Sequence, residues 1–216
     1  MLEIEQKRLI ENLIREGYLH DPEVIKAFKN VPRQKFVPET LREYSYADQP
    51  LSIGYGQTIS APSMIAIMME SLDLRKGQKV LEVGSGSGYN AALVAEIVGR
   101  TGKIITIERV PELAEFARNN LRKTGYDWIR VIVGDGTQGY EEEAPWDRIL
   151  VTACAPAPPK PLIEQLKRGG KLGAPVGEQY MHQVWTVLEK TGDGKLKIHR
   201  YCGCSFVPLI GKYGWK

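Results

Sequence analysis

The sequence predicts an α/β fold: a doubly wound, mostly parallel, seven-stranded sheet with an N-terminal helical extension and an antiparallel C-terminal edge. Three observations lead there. From Ser60 onward, short apolar runs alternate with amphipathic stretches of roughly 10–15 residues, the rhythm of β-α-β units. A glycine-rich turn, "VGSGSGY", sits directly between the first of those runs and the stretch that follows it. Near the end, two runs are joined by "TGDG", a hairpin signal that makes the last pairing antiparallel.

Each element has its own warrant. In "MLEIEQKRLIENLIREG", Leu2, Leu9, Ile10, Leu13 and Ile14 form one apolar stripe, and Gly17 is placed to end the helix. "HDPEVIKAFKNVP" is a second helix, with Asp21 as cap, Pro22 in its first turn and Pro32 beyond its end. "FVPETLREYSYADQPLSIGYGQ" is rich in Pro, Gly and Tyr and reads as an ordered cover segment. "APSMIAIMMESLDL" returns to helix, its Met64, Ile65, Met68, Met69 and Leu72 being core packing.

Strand and helix then alternate. "KVLEVG", "KIITIE", "IRVIVGD" and "DRILVTA" read as strands, separated by the helices "YNAALVAEIVG" and "PELAEFARNNLRKTG". "KPLIEQLKRGG" is expected to be a helix stopped by its glycines, followed by strands in "KLGAPVG", "HQVWTVLEK" and "LKIHRYCGCSFVPL". No repeat or low-complexity tract divides the chain. Residues 1–216 are expected to form one domain, with 1–59 a helical cover and 60–216 the α/β core.

Composition narrows the function classes. Hydrophobic residues make up 43% and charged residues 25%, ordinary for a globular protein. No apolar run approaches the ~20 residues that span a bilayer. The acidic, amphipathic N-terminus is neither a secretory signal nor a transit peptide, so a cytoplasmic, monomeric protein without membrane contact is expected. With 29 basic and 26 acidic residues the net charge is +3, too balanced for a nucleic-acid footprint. Cys154, Cys202 and Cys204 make neither a disulfide framework nor a metal set, so no metal is expected. His20, His182 and His199 belong to no catalytic constellation.

The chemistry concentrates at the carboxyl edge of the predicted sheet. Gly84, Ser85, Gly86 and Gly88 form the turn where such folds bind ligands. A phosphate loop needs Gly-Lys-Ser/Thr, and here Tyr89 and Asn90 follow Gly88. Glu82, two residues before the first glycine, suits a cationic ligand better than a pyrophosphate. S-adenosylmethionine, with an ammonium and a sulfonium, is such a ligand. Glu108 ends the next strand, 20 residues after Gly88, where a carboxylate accepts ribose hydroxyls. Asp135 and Gly136 end the strand after that, in reach of an adenine edge.

One loop, "GYGQTISAPSM", is left over. Ser60 before an apolar helix is first of all a capping signal. Thr58 and Ser60 are equally a row of short hydroxyls able to hold a substrate.

The glycine motif and the three acids resemble the class I S-adenosylmethionine-dependent methyltransferases. Within them, "VPRQKFVP", "YADQPLSIGYGQTISAPSM", "VLEVGSGSGY", "VGDGTQGY", "APWDRILVTA", "LKRGGKLGAPVG" and "FVPLIGKYGW", in that order, resemble the protein-L-isoaspartate O-methyltransferase family along nearly the whole chain. The resemblance implies a Rossmann-like methyltransferase sheet and S-adenosyl-L-methionine as cofactor, leaving S-adenosyl-L-homocysteine as product. It implies methyl transfer to the free carboxylate of L-isoaspartyl residues, and less efficiently of D-aspartyl residues, in damaged proteins and peptides. The ester re-forms a succinimide that can open to normal aspartate, which is protein repair. By the same resemblance Ser60 matches the active-site serine, Thr58 and Ile59 form the substrate wall, and Val207 offers a backbone contact.

Other classes stay in view. A nucleic-acid methyltransferase would carry an aromatic after Pro158-Pro159, where Lys160 stands. A small-molecule methyltransferase lacks a reason for the "GQTISAP" block. A non-enzymatic cofactor-binding scaffold is separated from an enzyme by whether methyl groups transfer at all.

Overall fold

The structure, a computed structural model, describes residues 2–216. Two helices lead: α1 (Leu2–Arg15) and α2 (Pro22–Asn30). A cover segment follows, built of two 3-10 turns, Arg33–Lys35 and Glu39–Tyr44, and a hairpin of β1 (Leu51–Gly54) and β2 (Gln57–Ile59). The α/β part comprises α3 (Pro62–Leu72), β3 (Lys79–Val83), α4 (Tyr89–Val98), β4 (Lys103–Glu108), α5 (Pro111–Lys123), β5 (Arg130–Val133), β6 (Trp146–Val151), α6 (Lys160–Glu164), β7 (Leu166–Glu178), β8 (Met181–Lys190) and β9 (Leu196–Cys204).

Local chemistry explains the helix ends. Asp21 accepts the Glu23 N–H at 2.8 Å with Pro22 in the first turn, which caps α2 as its sequence predicts. Past α1, Tyr18 N–H reaches Leu13 O at 2.8 Å and Gly17 N–H reaches Ile14 O at 3.0 Å. That is the paired hydrogen bonding of a Schellman end, with Gly17 at φ +78° supplying the left-handed residue. Leu9, Ile10 and Leu13 of the apolar stripe are buried, whereas Ile14 is exposed.

The sheet runs in the order β5-β4-β3-β6-β7-β8-β9. Pairings among β5, β4, β3, β6 and β7 are parallel; β7–β8 and β8–β9 are antiparallel. The parallel strands are apolar on both faces because both are covered. One face carries Val80, Ile104 and Leu150, the other Leu81, Ile105 and Ile149. Strand order reverses at β3, whose neighbours β4 and β6 lead to opposite sides, so a crevice opens at the carboxyl ends of these three strands.

Two expectations need correction. The helix in "KPLIEQLKRGG" stops at Glu164 and the chain is already strand from Leu166. Trp146 N–H takes the Gln165 carbonyl at 2.9 Å, and Leu166 is buried beside Trp146, so ladder bonding and core burial outweigh helix propensity. Gly169 and Gly170 lie in the irregular stretch of this ladder instead of capping a helix. The cover segment, in turn, contains a hairpin, with Leu51 opposite Ile59, Ser52 opposite Thr58 and a register shift before Gly54 meets Gln57.

Buried Arg33 holds the cover segment to the sheet layer. Its guanidinium lies 5.5 Å from the Tyr89 ring centroid, and Phe36 meets the same ring at 5.4 Å. Burial lowers the Arg33 pKa to about 10, so the group stays charged at neutral pH.

Candidate active site

The glycine turn is shaped by its neighbours. Gly84 adopts φ +98°, and a Cβ there would stand 2.2 Å from Thr152 Oγ1. Thr152 uses that approach to donate to the Val83 and Gly84 carbonyls at 3.1 and 2.9 Å, locking the end of β3 to the end of β6. Gly88, the N-cap of α4 at φ +86°, lets α5 close in, for a Cβ would meet Leu121 at 3.1 Å. Between them Gly86 N–H donates to Glu108 Oε2 at 3.0 Å, and Val110 N–H to Glu108 Oε1 at 3.0 Å.

A cavity opens above this turn. It is lined by Gly84, Ser85, Gly86, Glu108 and Gly136. Thr58, Ile59, Ser60 and, from the C-terminal segment, Val207 line it too. Nine of the expected site residues thus share one cavity, although they come from five separate places in the chain.

The remaining three sit elsewhere. Gly88 is behind the turn, in its packing role. Glu82 lies beneath the cavity at 1% exposure, accepting from Thr106 Oγ1 at 2.5 Å, and its Oε1 has no partner among the described residues. Burial pushes its carboxyl up to about 8, and Glu108 adds to the rise against the pull of Thr106. Asp135 is spent on structure. Its carboxylate accepts the Thr137 N–H at 3.0 Å, the Thr137 hydroxyl at 2.6 Å and the Lys212 N–H at 2.8 Å. Partial burial would raise its pKa, but these donors outweigh that and hold it below the usual carboxylate range. Gly136 alone of the Asp-Gly pair reaches the cavity.

The structure answers the loop question. The N-cap of α3 is Ala61, without a side-chain cap. Asp48 Oδ1, from the cover segment, accepts the Ser63 N–H at 2.8 Å instead. The Ser60 hydroxyl is therefore not spent on capping, and Ser60 faces the cavity. Beyond β9, Gln183 holds both main-chain groups of Phe206, at 2.6 and 3.0 Å. Val207 O accepts the Cys154 N–H at 2.8 Å, which seats the C-terminal wall.

Sequence reasoning missed Tyr89, Asn90, Arg109 and Thr152 in the lining, and within the C-terminal segment it singled out Val207 but not Pro208 to Ile210. Applying the carboxyl-end rule to the fourth parallel strand, β6, finds Thr152. The place of 208–210 is set by the bridge between Pro208 and Cys154.

The donor set fits a cationic nucleoside. Glu108 offers its remaining lone pairs, the close-packed glycine turn leaves room for a ligand against bare backbone, and the buried Glu82 carboxyl with its unpartnered oxygen lies below. In the same cavity, Thr58 and Ser60 supply short hydroxyls suited to a second, anionic reactant.

Comparison with known proteins points the same way. A model of the family "Protein-L-isoaspartate(D-aspartate) O-methyltransferase (PCMT)" matches residues 4–214. A protein-L-isoaspartate O-methyltransferase of Methanopyrus kandleri is 59% identical over 212 residues, 98% of this chain and 93% of that one. One from Hyperthermus butylicus is 54% identical over 219 residues, covering 98% and 90%. Among solved structures, a Plasmodium falciparum protein described as such a methyltransferase, in complex with S-adenosyl-L-homocysteine, superimposes with TM-score 0.83. It is 32% identical, and the match covers 95% of this chain and 98% of that one.

Proposed function

The chain belongs to the protein-L-isoaspartate(D-aspartate) O-methyltransferase family, and on that premise we propose which of its residues hold the cofactor and the reacting carboxylate. Its activity is S-adenosylmethionine-dependent methyl transfer to the free carboxylate of L-isoaspartyl residues, and less efficiently of D-aspartyl residues, in damaged proteins. The ester initiates repair through a succinimide. One observation carries the assignment: the Thr58–Ser60 row and the Gly84–Glu108 unit line a single cavity.

When bound, S-adenosylmethionine supplies an electrophilic methyl group on a sulfonium. Gly84, Ser85, Gly86, Glu108 and Gly136 hold it, with Glu108 accepting from the ribose hydroxyls. Glu82 and Asp135 act from behind, through charge and through the fold of the turn. The substrate carboxylate is already anionic at neutral pH, so the protein needs no strong general base. Its task is to orient that carboxylate and keep water from it. Ser60 donates a hydrogen bond to the carboxylate. A hydroxyl orients without neutralising the nucleophile, as Arg or Lys would. Thr58, Ile59 and Val207 wall the same side.

The chain acts as one domain, a reading supported by α2 packing on α4, and as a monomer. Its partners are isoaspartyl proteins and peptides, without nucleic acid or membrane, and its place is the cytoplasm. Near-balanced charge, three free cysteines and the absence among the described residues of any helix long and apolar enough to cross a membrane support this. Ser60→Ala tests the assignment: turnover should fall at least tenfold, roughly the worth of one charge-assisted hydrogen bond, with cofactor Kd little changed. Equal turnover removes Ser60 from the mechanism.

A further inference from the structure

We propose that Thr106 is a positioning residue for the cofactor: its hydroxyl sets the direction of a buried hydrogen-bond chain, from Ser85 through Thr106 to Glu82, so that Ser85 meets the bound cation with lone pairs alone. The inference rests on the cofactor assignment above. Thr106 lies in the middle of β4 at 0% exposure and does not line the cavity. Its Oγ1 is 2.5 Å from Glu82 Oε2 and 2.7 Å from Ser85 Oγ.

The direction follows from counting protons. A hydroxyl has one to give, and an ionised carboxylate has none. When a bound cation ionises Glu82, Thr106 therefore donates to Glu82, and the Ser85 proton is drawn inward to Thr106. What Ser85 turns to the cavity is an acceptor. An ammonium group of the ligand is matched by it, while a carboxylate or phosphate at that spot meets lone pairs.

The direction holds only while Glu82 is charged; with its carboxyl at about 8 in the free protein, the positive charge of the bound ligand is what brings it to that form at neutral pH. Were Glu82 protonated, its O–H would donate to Thr106, Thr106 to Ser85, and Ser85 would present a proton to the cavity. Two groups besides Thr106 act on Glu82: Glu108 on β4 opposes its ionisation, and Asn90 on α4 favours it. Thr106 is the buried donor that favours the ionised form against burial, and with the cationic ligand in place it fixes the polarity of the chain.

The test compares the full-length enzyme with Thr106→Val, which keeps the shape and removes the hydroxyl, and Thr106→Ser, which keeps the hydroxyl. The first readout is the Glu82 carboxyl titration in cofactor-free, carbon-13 glutamate-labelled protein, assigned with Glu82→Gln. The second is calorimetric affinity for S-adenosyl-L-homocysteine, which has the ammonium without the sulfonium, at several pH values. Thr106→Val should move the Glu82 midpoint to higher pH and weaken binding about tenfold at neutral pH, the worth of one hydrogen bond to a charged group. Its affinity loss on acidification should begin at higher pH, and Thr106→Ser should behave as the parent. Should the valine variant fail to fold, Ser85→Ala serves, with weakened binding expected. An unmoved Glu82 midpoint with unchanged affinity in Thr106→Val, or full affinity in Ser85→Ala, overturns the proposal. The cofactor-free titration stands apart from the functional reading, which fails separately if the parent enzyme methylates no isoaspartyl peptide.

Discussion

Gly86 and Glu108 form one unit: the backbone N–H of the glycine turn donates to Glu108 Oε2 at 3.0 Å. The other oxygen accepts the Val110 N–H. The carboxylate that is assigned to the ribose is thus fixed before any ligand arrives, and binding needs little reordering of it.

Glu108→Ala should weaken cofactor binding by about 1.5–3 kcal/mol, roughly ten- to hundredfold in Kd. Glu108→Gln should also lose affinity, because both oxygens accept main-chain donors and an amide must turn its NH2 towards one of them. Isothermal calorimetry with S-adenosyl-L-homocysteine reads both. An unchanged Kd in the alanine variant places the ribose elsewhere.

Capping and catalysis separate at the α3 N-terminus. Asp48→Ala removes the side chain that satisfies Ser63 N–H and should cost about 1 kcal/mol of stability. Ser60→Ala should change stability by under about 0.5 kcal/mol, the usual range for a side chain with no structural bond. Chemical denaturation of the two variants gives the comparison; a larger loss from the Ser60 change would restore it as a structural cap.

Gly84→Ala combines a left-handed backbone with a Cβ 2.2 Å from Thr152 Oγ1. A loss of about 3 kcal/mol or more is expected in unfolding experiments. Adding Thr152→Ala should recover part of it, by relieving the contact while leaving the backbone strain.

Glu82 makes stability fall with alkalinity. Its folded pKa, about 8, lies above its ordinary value of 4.5, so the native state binds the proton more tightly. Its contribution is complete below about 4.5 and is lost as pH rises through about 8. Asp135 works in the opposite sense. Its folded pKa is lowered, so its share is present above the ordinary carboxylate range and lost on acidification. Thermal unfolding of Glu82→Gln across this range should show a flatter alkaline limb than the parent. An identical slope would mean that Glu82 is ionised in the native protein throughout.

The legible part of the fold is the part fixed locally. Apolar runs gave the strands, Asp21 and Gly17 gave helix ends, and Gly84 through Gly88 gave the turn at the reversal of strand order. Glu108 was found by its distance from that turn. What stayed hidden depends on distant partners. Leu166 is strand because Trp146 captures the preceding carbonyl. Ser60 looked like a cap because Asp48, which does that work, lies 15 residues upstream of the amide it satisfies. Asp135 looked free for adenine because Lys212, which binds it, comes 77 residues later. Thr106 carries no motif at all, and only the packing of β3 on β4 brings it to Glu82.

The most direct measurement is methyl transfer from labelled S-adenosylmethionine to two matched peptides, one with L-isoaspartate and one with L-aspartate. Labelling of the isoaspartyl peptide alone is the expected result. No labelling of either peptide with the cofactor bound, or equal labelling of both, would contradict the account.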